Sequence, residues 1–359
     1  MNGIFRALLL SACSPNRKSS SEPSGNAQGK LGPTIRNLKF SVLLGALLFA
    51  FCQSASAQSN KLRRIGYLSV RSNPSEREAA FKQGLGDLGW VEGENITIEY
   101  RWGKEKSELL PQLAAELVRL KVEVIVAAAT VAVQAAKNAT TTIPIVMSPA
   151  ADPVASKLIA SLDRPGGNIT GLSLMGPELA GKRLELLHEI LPRLSLVGFL
   201  APGTDPTAGL FVKEAQAAAQ KLGLNLRAFV VGGPGEIDGV FSKLKTQRFG
   251  ALVVHPIFAS FPDQHRRIIE LAARDRVPTI SDLPDFPEAG GLLSYGPKIL
   301  ALYHRAGYFV DKILKGAKPT ELPVEQPRFF ETVINLKTAK QIGVAIAPEI
   351  LARADRVIK

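Results

Sequence analysis

From about residue 61 onward, short apolar runs alternate with amphipathic segments separated by Gly, Pro or Asn. This is the pattern of βαβ units on a mostly parallel sheet. Residues 64–70 read as a buried strand, after which Asn73-Pro74-Ser75 opens a helix to Leu88, with Gly89 as its stop. Residues 95–101 make a second strand. Residues 107–120 form a helix placing Leu109, Leu113, Leu117 and Leu120 on one face against a sheet, with Pro111 tolerated in its first turn. Strands at 122–128, 143–147 and 169–174 then alternate with helices at 131–138 and 153–162.

The Gly-rich stretch from Pro165 to Gly176 marks a transition, and a helix over 178–191 leads into a second series with the same pattern. Its strands fall at 196–200, 226–231, 251–255 and 279–281, and its helices at 208–222, 237–247 and 263–274. Residues 291–296 and a helix over 298–315 lack a complete βαβ partner, so they are expected to return to the first series. The segment from Pro323 is expected to return to the second. The fold class is therefore α/β, with two Rossmann-like lobes of parallel sheet joined by a multi-crossover hinge. Lobe 1 is assigned residues 62–174 plus 288–318, and lobe 2 residues 175–287 plus 319–359.

The first 57 residues differ in kind. Residues 14–33 are polar and rich in Ser, Pro and Gly, too poor in apolar side chains to offset the entropy of ordering. Arg36 and Lys39 precede a 12-residue apolar run from Phe40 to Phe51 and the triplet Ala55-Ser56-Ala57, in the order of a secretory signal. The run is shorter than the roughly 20 residues a membrane-crossing helix needs. Export to the periplasm with cleavage after Ala57 is expected. Lipidation at Cys13, within Leu10-Ser11-Ala12-Cys13, is the minor alternative. Both cysteines, Cys13 and Cys52, lie before that cleavage point, and its removal of six Lys+Arg and one Glu lowers the net charge from +12 to +7.

The remaining basic residues are interspersed with acids along helices, and aromatic residues make up only 6% of the chain, so nucleic-acid binding is not expected. The chain contains no G-x-G-x-x-G after the first strand, no Walker-type loop and no G-x-S-x-G elbow. His188, His265 and His304 sit in predicted helices without a second His or Cys at metal-ligand spacing. No cofactor, metal or catalytic group is assigned. His255 with Asp282 is the residual enzymatic pairing.

In open parallel sheets, ligands bind beyond the carboxyl ends of strands, where helix N-termini present free N–H groups. That rule selects Ser69, Arg71, Ser72 and Asn73 after the first strand, Thr130 after the third, and Ser148 with Asp152 after the fourth. In the second series it selects Thr204, His255, Phe258 and Asp282, and Tyr295 in the returning segment. Ser, Thr and Asp at such positions also serve as helix caps, a role that competes with binding for Thr130, Asp152 and Asp205.

Several motifs together resemble one family. They are Arg64-Ile65-Gly66-Tyr67-Leu68, Gly89-Trp90 with Gly93-Glu94-Asn95-Ile96, Asp152-Pro153, Arg164 to Gly171, Leu322 to Pro327, Ile334 to Lys340, and Leu351 to Asp355. Over residues 62–359 the chain resembles bacterial ABC transporter substrate-binding proteins of the tryptophan/tyrosine-uptake type, with a periplasmic-binding-protein-like I fold. The resemblance implies a monomeric, non-enzymatic receptor that closes on a small polar solute, with amino acids among the candidates, and delivers it to an ABC permease in the inner membrane. A sensing role beside a membrane partner is the alternative, and a repressor-like regulator is a more distant one. One departure is Ala128-Ala129-Thr130, where relatives often carry Gly before the Thr.

Overall fold

The computed structural model describes residues 62–359. The expected export signal and cleavage point after Ala57, and Cys13 and Cys52, lie outside the described residues. Within the described chain, two sheets are built in succession. Strands β1 (Arg63–Ser69), β2 (Ile96–Trp102), β3 (Val124–Ala128), β4 (Ile145–Ala150) and β5 (Ile169–Ser173) form an all-parallel sheet in the order β2-β1-β3-β4-β5. Between them run α1 (Glu76–Gly86), α2 (Leu110–Arg119) and α3 (Thr130–Ala139). β3, β4 and β5 are buried at every position, and β3, covered on both faces, reads as a continuous apolar run, while β4 and β5 bury Ser148, Thr170 and Ser173 among their apolar residues. The edge strand β2 is half-buried and carries charge.

Helix α1 starts at a capping box, in which Ser75 Oγ accepts from Arg77 N at 3.3 Å and Glu78 Oε2 accepts from Ser75 N at 2.7 Å. Buried Glu78 also accepts from Tyr67 Oη at 2.8 Å, tying the cap to β1. In α2 the buried face is Leu110, Ala114 and Leu117, with Leu113 and Leu120 at its edge. The expected stripe beginning at Leu109 is therefore displaced by one position. The reason lies in the first turn, where residues 107–109 wind as a 3-10 helix before Leu110.

The helix expected over 153–162 does not form. Asp152 Oδ1 caps Val154 N and Ala155 N at 3.1 and 2.9 Å, but Lys157 turns left-handed at φ 58° and ends the coil after one turn.

The second sheet has seven strands: β6 (Leu196–Pro202), β7 (Asn225–Val231), β8 (Ala251–Val254), β9 (Thr279–Ser281), β10 (Leu293–Pro297), β11 (Phe330–Asn335) and β12 (Arg356–Ile358). They are ordered β12-β11-β10-β9-β8-β6-β7, with β10 and β11 antiparallel. Its helices are α4 (Ala180–Ile190), α5 (Ala208–Lys221), α6 (Ile237–Thr246), α7 (Pro262–Asp275), the single turn α8 (Asp285–Glu288), α10 (Leu336–Ile342) and α11 (Pro348–Arg353). Helix α9 (Ile299–Leu314) instead packs its buried face with α1 and the first sheet.

Two expected assignments need correction. β10 pairs with β9 and β11, so residues 288–297 belong with the second sheet, and the chain crosses only between Pro297 and Ile299. Residues 319–325 lie on the first sheet rather than the second. There Thr170 Oγ1 donates to Leu322 O at 2.6 Å, Glu325 N donates to Gly171 O at 2.9 Å, and Ser173 N donates to Glu325 O at 2.9 Å. Three crossovers thus connect the lobes: the stretch from β5 to α4, the link at Lys298, and residues 326–329.

Candidate functional site

Both sheets present the carboxyl ends of their strands to one cleft. Its first-lobe wall includes Ser69, Val70 and Arg71 after β1, Ala128, Ala129 and Thr130 after β3, and Pro149 and Ala151 at β4. The second-lobe wall includes Asp205 and Thr207 after β6 and His255, Pro256, Ile257 and Ser260 after β8. Leu174, Leu283, Ile299 and Tyr303 close it toward the crossovers, and Arg77 enters from α1. The cleft spans about 600 Å³ with its mouth, but the void between the side chains is about 60 Å³. A cavity needs on the order of 10–15 Å³ to hold one water, so this is a closed arrangement with space for a few waters.

Two polar contacts bridge the walls, beside the packing of Ile257, Phe261 and Leu283 on the first lobe's core. Arg77 Nη2 lies 2.6 Å from Asp285 Oδ2, and Arg71 Nη1 donates to Ala259 O at 3.3 Å. Burial works to lower the Arg77 pKa, but Asp285, with Tyr303 and Glu78, carries it above the ordinary arginine value. Burial likewise pushes the Asp285 carboxyl upward and Arg77 outweighs it, leaving the group below the usual carboxylate range.

The polar groups of the cleft fall into three sets. At the N-terminus of α3, Thr130 is buried with its Oγ1 accepting from Ala151 N at 3.0 Å, and the N–H groups of Thr130 and Val131 have no intrahelical acceptor, while those of Ala132 and Val133 donate to Ala129 O at 3.1 Å. Ala129, just before it, holds φ 73° and ψ 155°, a conformation that glycine adopts readily and alanine does not. Across the cleft, Asp205 Oδ1 accepts from Thr207 N at 2.7 Å and Thr207 Oγ1 at 2.5 Å, fixing a buried carboxylate at the wall.

Third, His255 is buried against Phe211 at 4.3 Å between ring centroids, and its Nδ1 accepts from Ile257 N at 3.3 Å. That bond makes Nε2 the protonated nitrogen, and Nε2 is buried without a partner. Burial lowers the His255 pKa to about 4, with Asp205 opposing, so the ring is a neutral donor at pH 7.

Of the residues selected from sequence, Ser69, Arg71, Thr130 and His255 line the cleft. Ser148 is fully buried one residue before lining Pro149, and its Oγ has no partner. The others lie outside the lining. Ser72 Oγ donates to Glu105 Oε1 at 2.9 Å, Asn73 and Thr204 are exposed, and Asp152 is occupied as a cap. Phe258 belongs to the core between the second sheet and its helices α6 and α7, because the 3-10 turn over 256–260 sends its neighbours Ile257 and Ser260 to the cleft instead. Tyr295 stacks on Phe330 at 6.2 Å, away from the cleft.

Asp282 is buried and lies 2.7 Å from Arg183 Nη2. Arg183 also donates from Nε to Tyr295 O at 3.0 Å and from Nη1 to Gly176 O at 2.9 Å, so it joins the first crossover to β10. Burial raises the Asp282 carboxyl to about 7 while Arg183 opposes the shift. His255 and Asp282 therefore have separate partners and do not form a catalytic pair. Among the described residues, no three His, Cys, Asp or Glu side chains gather in a group that would hold a metal ion.

Sequence reasoning missed Arg77, Tyr303 and Thr207 as cleft residues, whereas Asp205, weighed between capping and binding, lines the cleft. Thr207 sits three positions past Thr204 in the same strand-end loop, where the rule pointed to the right turn and the wrong residue. Arg77 and Tyr303 come from the first turn of α1 and the second turn of α9, beyond the strand-end loops that the rule selects.

Comparison with known proteins adds the family. Residues 71–358 match the model of the family described as ABC transporter substrate binding protein. A protein of Clostridioides difficile (strain R20291) named "Tyrosine-binding protein" is 26% identical over 297 residues, which is 81% of this chain and 84% of that one. The crystal structure of an ABC domain in complex with L-Trp from Streptococcus pneumoniae is 27% identical, with a TM-score of 0.77 over 83% of this chain and 100% of that one. A conserved domain protein from Vibrio cholerae is 26% identical, also with a TM-score of 0.77 and the same coverage.

Proposed function

The chain belongs to the family of ABC transporter substrate binding proteins, and from that premise we propose that it is an exported receptor that captures an amino-acid-like solute in the interlobe cleft. The observation that carries this reading is the pairing of opposite demands in one cavity. The α3 N-terminus and Arg71 suit a carboxylate, while Asp205 on the facing wall suits an ammonium group. Val70, Leu174, Ile257, Leu283 and Ile299 leave apolar wall for the solute's side chain. The unpartnered His255 Nε2–H is one further donor, and a bound acceptor would remove the cost of burying it bare.

The void of about 60 Å³ is too small for a whole amino acid, so capture requires the lobes to part and re-close. Three crossovers permit such a hinge motion, and Arg77–Asp285 would re-form on closure. In this reading the N-terminal segment directs export with cleavage after Ala57, and the closed receptor docks on an inner-membrane permease. The relative called tyrosine-binding and the L-Trp complex support an aromatic amino acid as the first solute to try.

A thermal-shift screen of the purified, ligand-stripped protein against amino acids, their deaminated acids, purines and sugars tests it. A ligand at 100 times its Kd adds about 2.7 kcal/mol of stability. A shift with amino acids that exceeds the shift with their deaminated acids at equal concentration supports the reading. A shift with sugars or purines alone refutes the amino-acid assignment.

A further inference from the structure

A second cavity, of about 320 Å³, lies at the crossovers rather than in the cleft. Its apolar wall is Leu172 at the end of β5, Ala301 and Leu302 on α9, and Pro327 and Phe329 on the third crossover. Phe329 is 66% exposed, an unusual expenditure of apolar surface on a large aromatic ring.

The charge of the cavity is one-sided. Arg305 is held by Glu325 through two bonds, Nε to Oε2 at 2.9 Å and Nη2 to Oε1 at 2.7 Å, and its guanidinium lies 3.7 Å from the Tyr308 ring centroid. Lys298 and Arg328 also line the cavity and are exposed, and among the described residues neither has a carboxylate within 4.0 Å. The walls therefore offer an apolar body with two cations that lack a direct ion pair, Lys298 sensing the Glu331 carboxylate only at longer range. That is the complement of a small organic anion with an aromatic or branched tail.

Its position gives the cavity consequence. Lys298 N donates to Phe329 O at 3.0 Å, and residue 325 is bonded to both Gly171 and Ser173, so the cavity is walled by two of the three crossovers, stitched to each other and to the end of β5. We propose that this cavity is a second binding site, for an aryl carboxylate, built on the hinge. A ligand there that favours one hinge state changes cleft affinity by the same factor as the cleft solute changes its own. The proposal rests on the hinge geometry and does not depend on which solute the cleft takes.

The test is calorimetric titration of the full protein with 3-phenylpropionate, with its amide and inorganic phosphate as comparison probes. The variants are K298Q/R328Q at the hinge and H255F in the cleft. Saturable binding of 3-phenylpropionate to wild type and to H255F is expected, weakened at least tenfold in K298Q/R328Q and for the amide. Circular dichroism and an unchanged melting midpoint certify that the double variant is folded. The proposal is overturned by absence of binding to wild type at millimolar concentration, by equal affinity in K298Q/R328Q, or by loss in H255F alone, which would place the probe in the cleft. Phosphate binding as tightly as the aryl acid would overturn the apolar part of the assignment.

Discussion

Arg77 on α1 and Asp285 on α8 form an ion pair of 2.6 Å across the mouth between two separately built lobes. The partners are unequally placed, with the Arg77 side chain 9% and the Asp285 side chain 32% exposed. Asp285→Asn leaves a buried guanidinium without its counter-charge and is expected to cost about 3–5 kcal/mol. Arg77→Met leaves a carboxylate that water reaches, and should cost less. Both should raise the ligand-free radius of gyration in small-angle scattering. The Asp285 pKa lies below its ordinary value of 3.8, so the latch's contribution is present above that value and is lost as pH falls through the lower folded one. An unchanged radius in both variants would show that the pair does not hold the lobes together.

Arg183 is a brace for the hinge rather than a ligand contact. It reaches Tyr295 O, Gly176 O and Asp282 from a side chain that is 1% exposed. Arg183→Met removes three partners and strands the Asp282 carboxylate, which should then protonate. A loss of about 3–5 kcal/mol in urea unfolding is expected, against a smaller loss for Asp282→Asn, which keeps a polar partner for the guanidinium.

Two buried groups give opposing pH dependences that nearly cancel. His255 titrates at about 4 in the folded protein against 6.5 ordinarily, so its burial costs stability as pH falls from 6.5 toward 4, by roughly 3 kcal/mol in all. Asp282 is raised from 3.8 to about 7, so its contribution is fully present below 3.8 and is lost as pH rises through 7. Wild-type stability should thus be nearly flat between pH 4 and 6.5. His255→Phe should become more stable toward acid across that range, and Asp282→Asn less stable. Parallel curves for all three proteins would refute these assignments.

The alternation of strands and helices was legible because buried parallel strands such as β3 and β8 must be continuous apolar runs. Segment exchange between lobes was not, because β10 and α9 are adjacent in sequence yet serve different sheets, and local pattern carries no address. The strand-end rule found Thr130 and His255 but chose Asp282, whose buried carboxylate is occupied by an arginine 99 residues away. A solvent-capable Asp and an ion-paired one look alike in sequence. Asp152 shows the converse: the capping role weighed for it is the one its bonds display.

Helices α1 and α9 approach through two glycines that no periodicity signals. A Cβ on Gly84 would lie 2.0 Å from His304 O, and one on Gly307 would lie 2.6 Å from Gly84 C. Both obstacles are backbone, which cannot rotate away. Gly84→Ala should therefore cost about 3 kcal/mol or more, while Gly86→Ala, two residues on and open to solvent, should be neutral or stabilising. Equal melting midpoints for the two variants would show that the helices separate at little cost.

Ala129 stands where the sequence departs from the Gly-Thr pattern, and its φ of 73° with ψ of 155° shows that the backbone keeps the glycine geometry nonetheless. Such a conformation costs a non-glycine residue on the order of 1–3 kcal/mol. Ala129→Gly should therefore raise stability by about 1 kcal/mol, after the added entropy of the unfolded glycine chain is subtracted. Its methyl also lines the cleft beside the α3 N-terminus. If the cleft's solute places a carboxylate there, removing the methyl should alter affinity for that solute while leaving the Arg77–Asp285 latch intact. Calorimetry with the solute identified by thermal shift, on wild type and Ala129→Gly together, separates the two effects. A change in stability without a change in affinity would mean that the carboxylate end of the ligand lies elsewhere in the cleft.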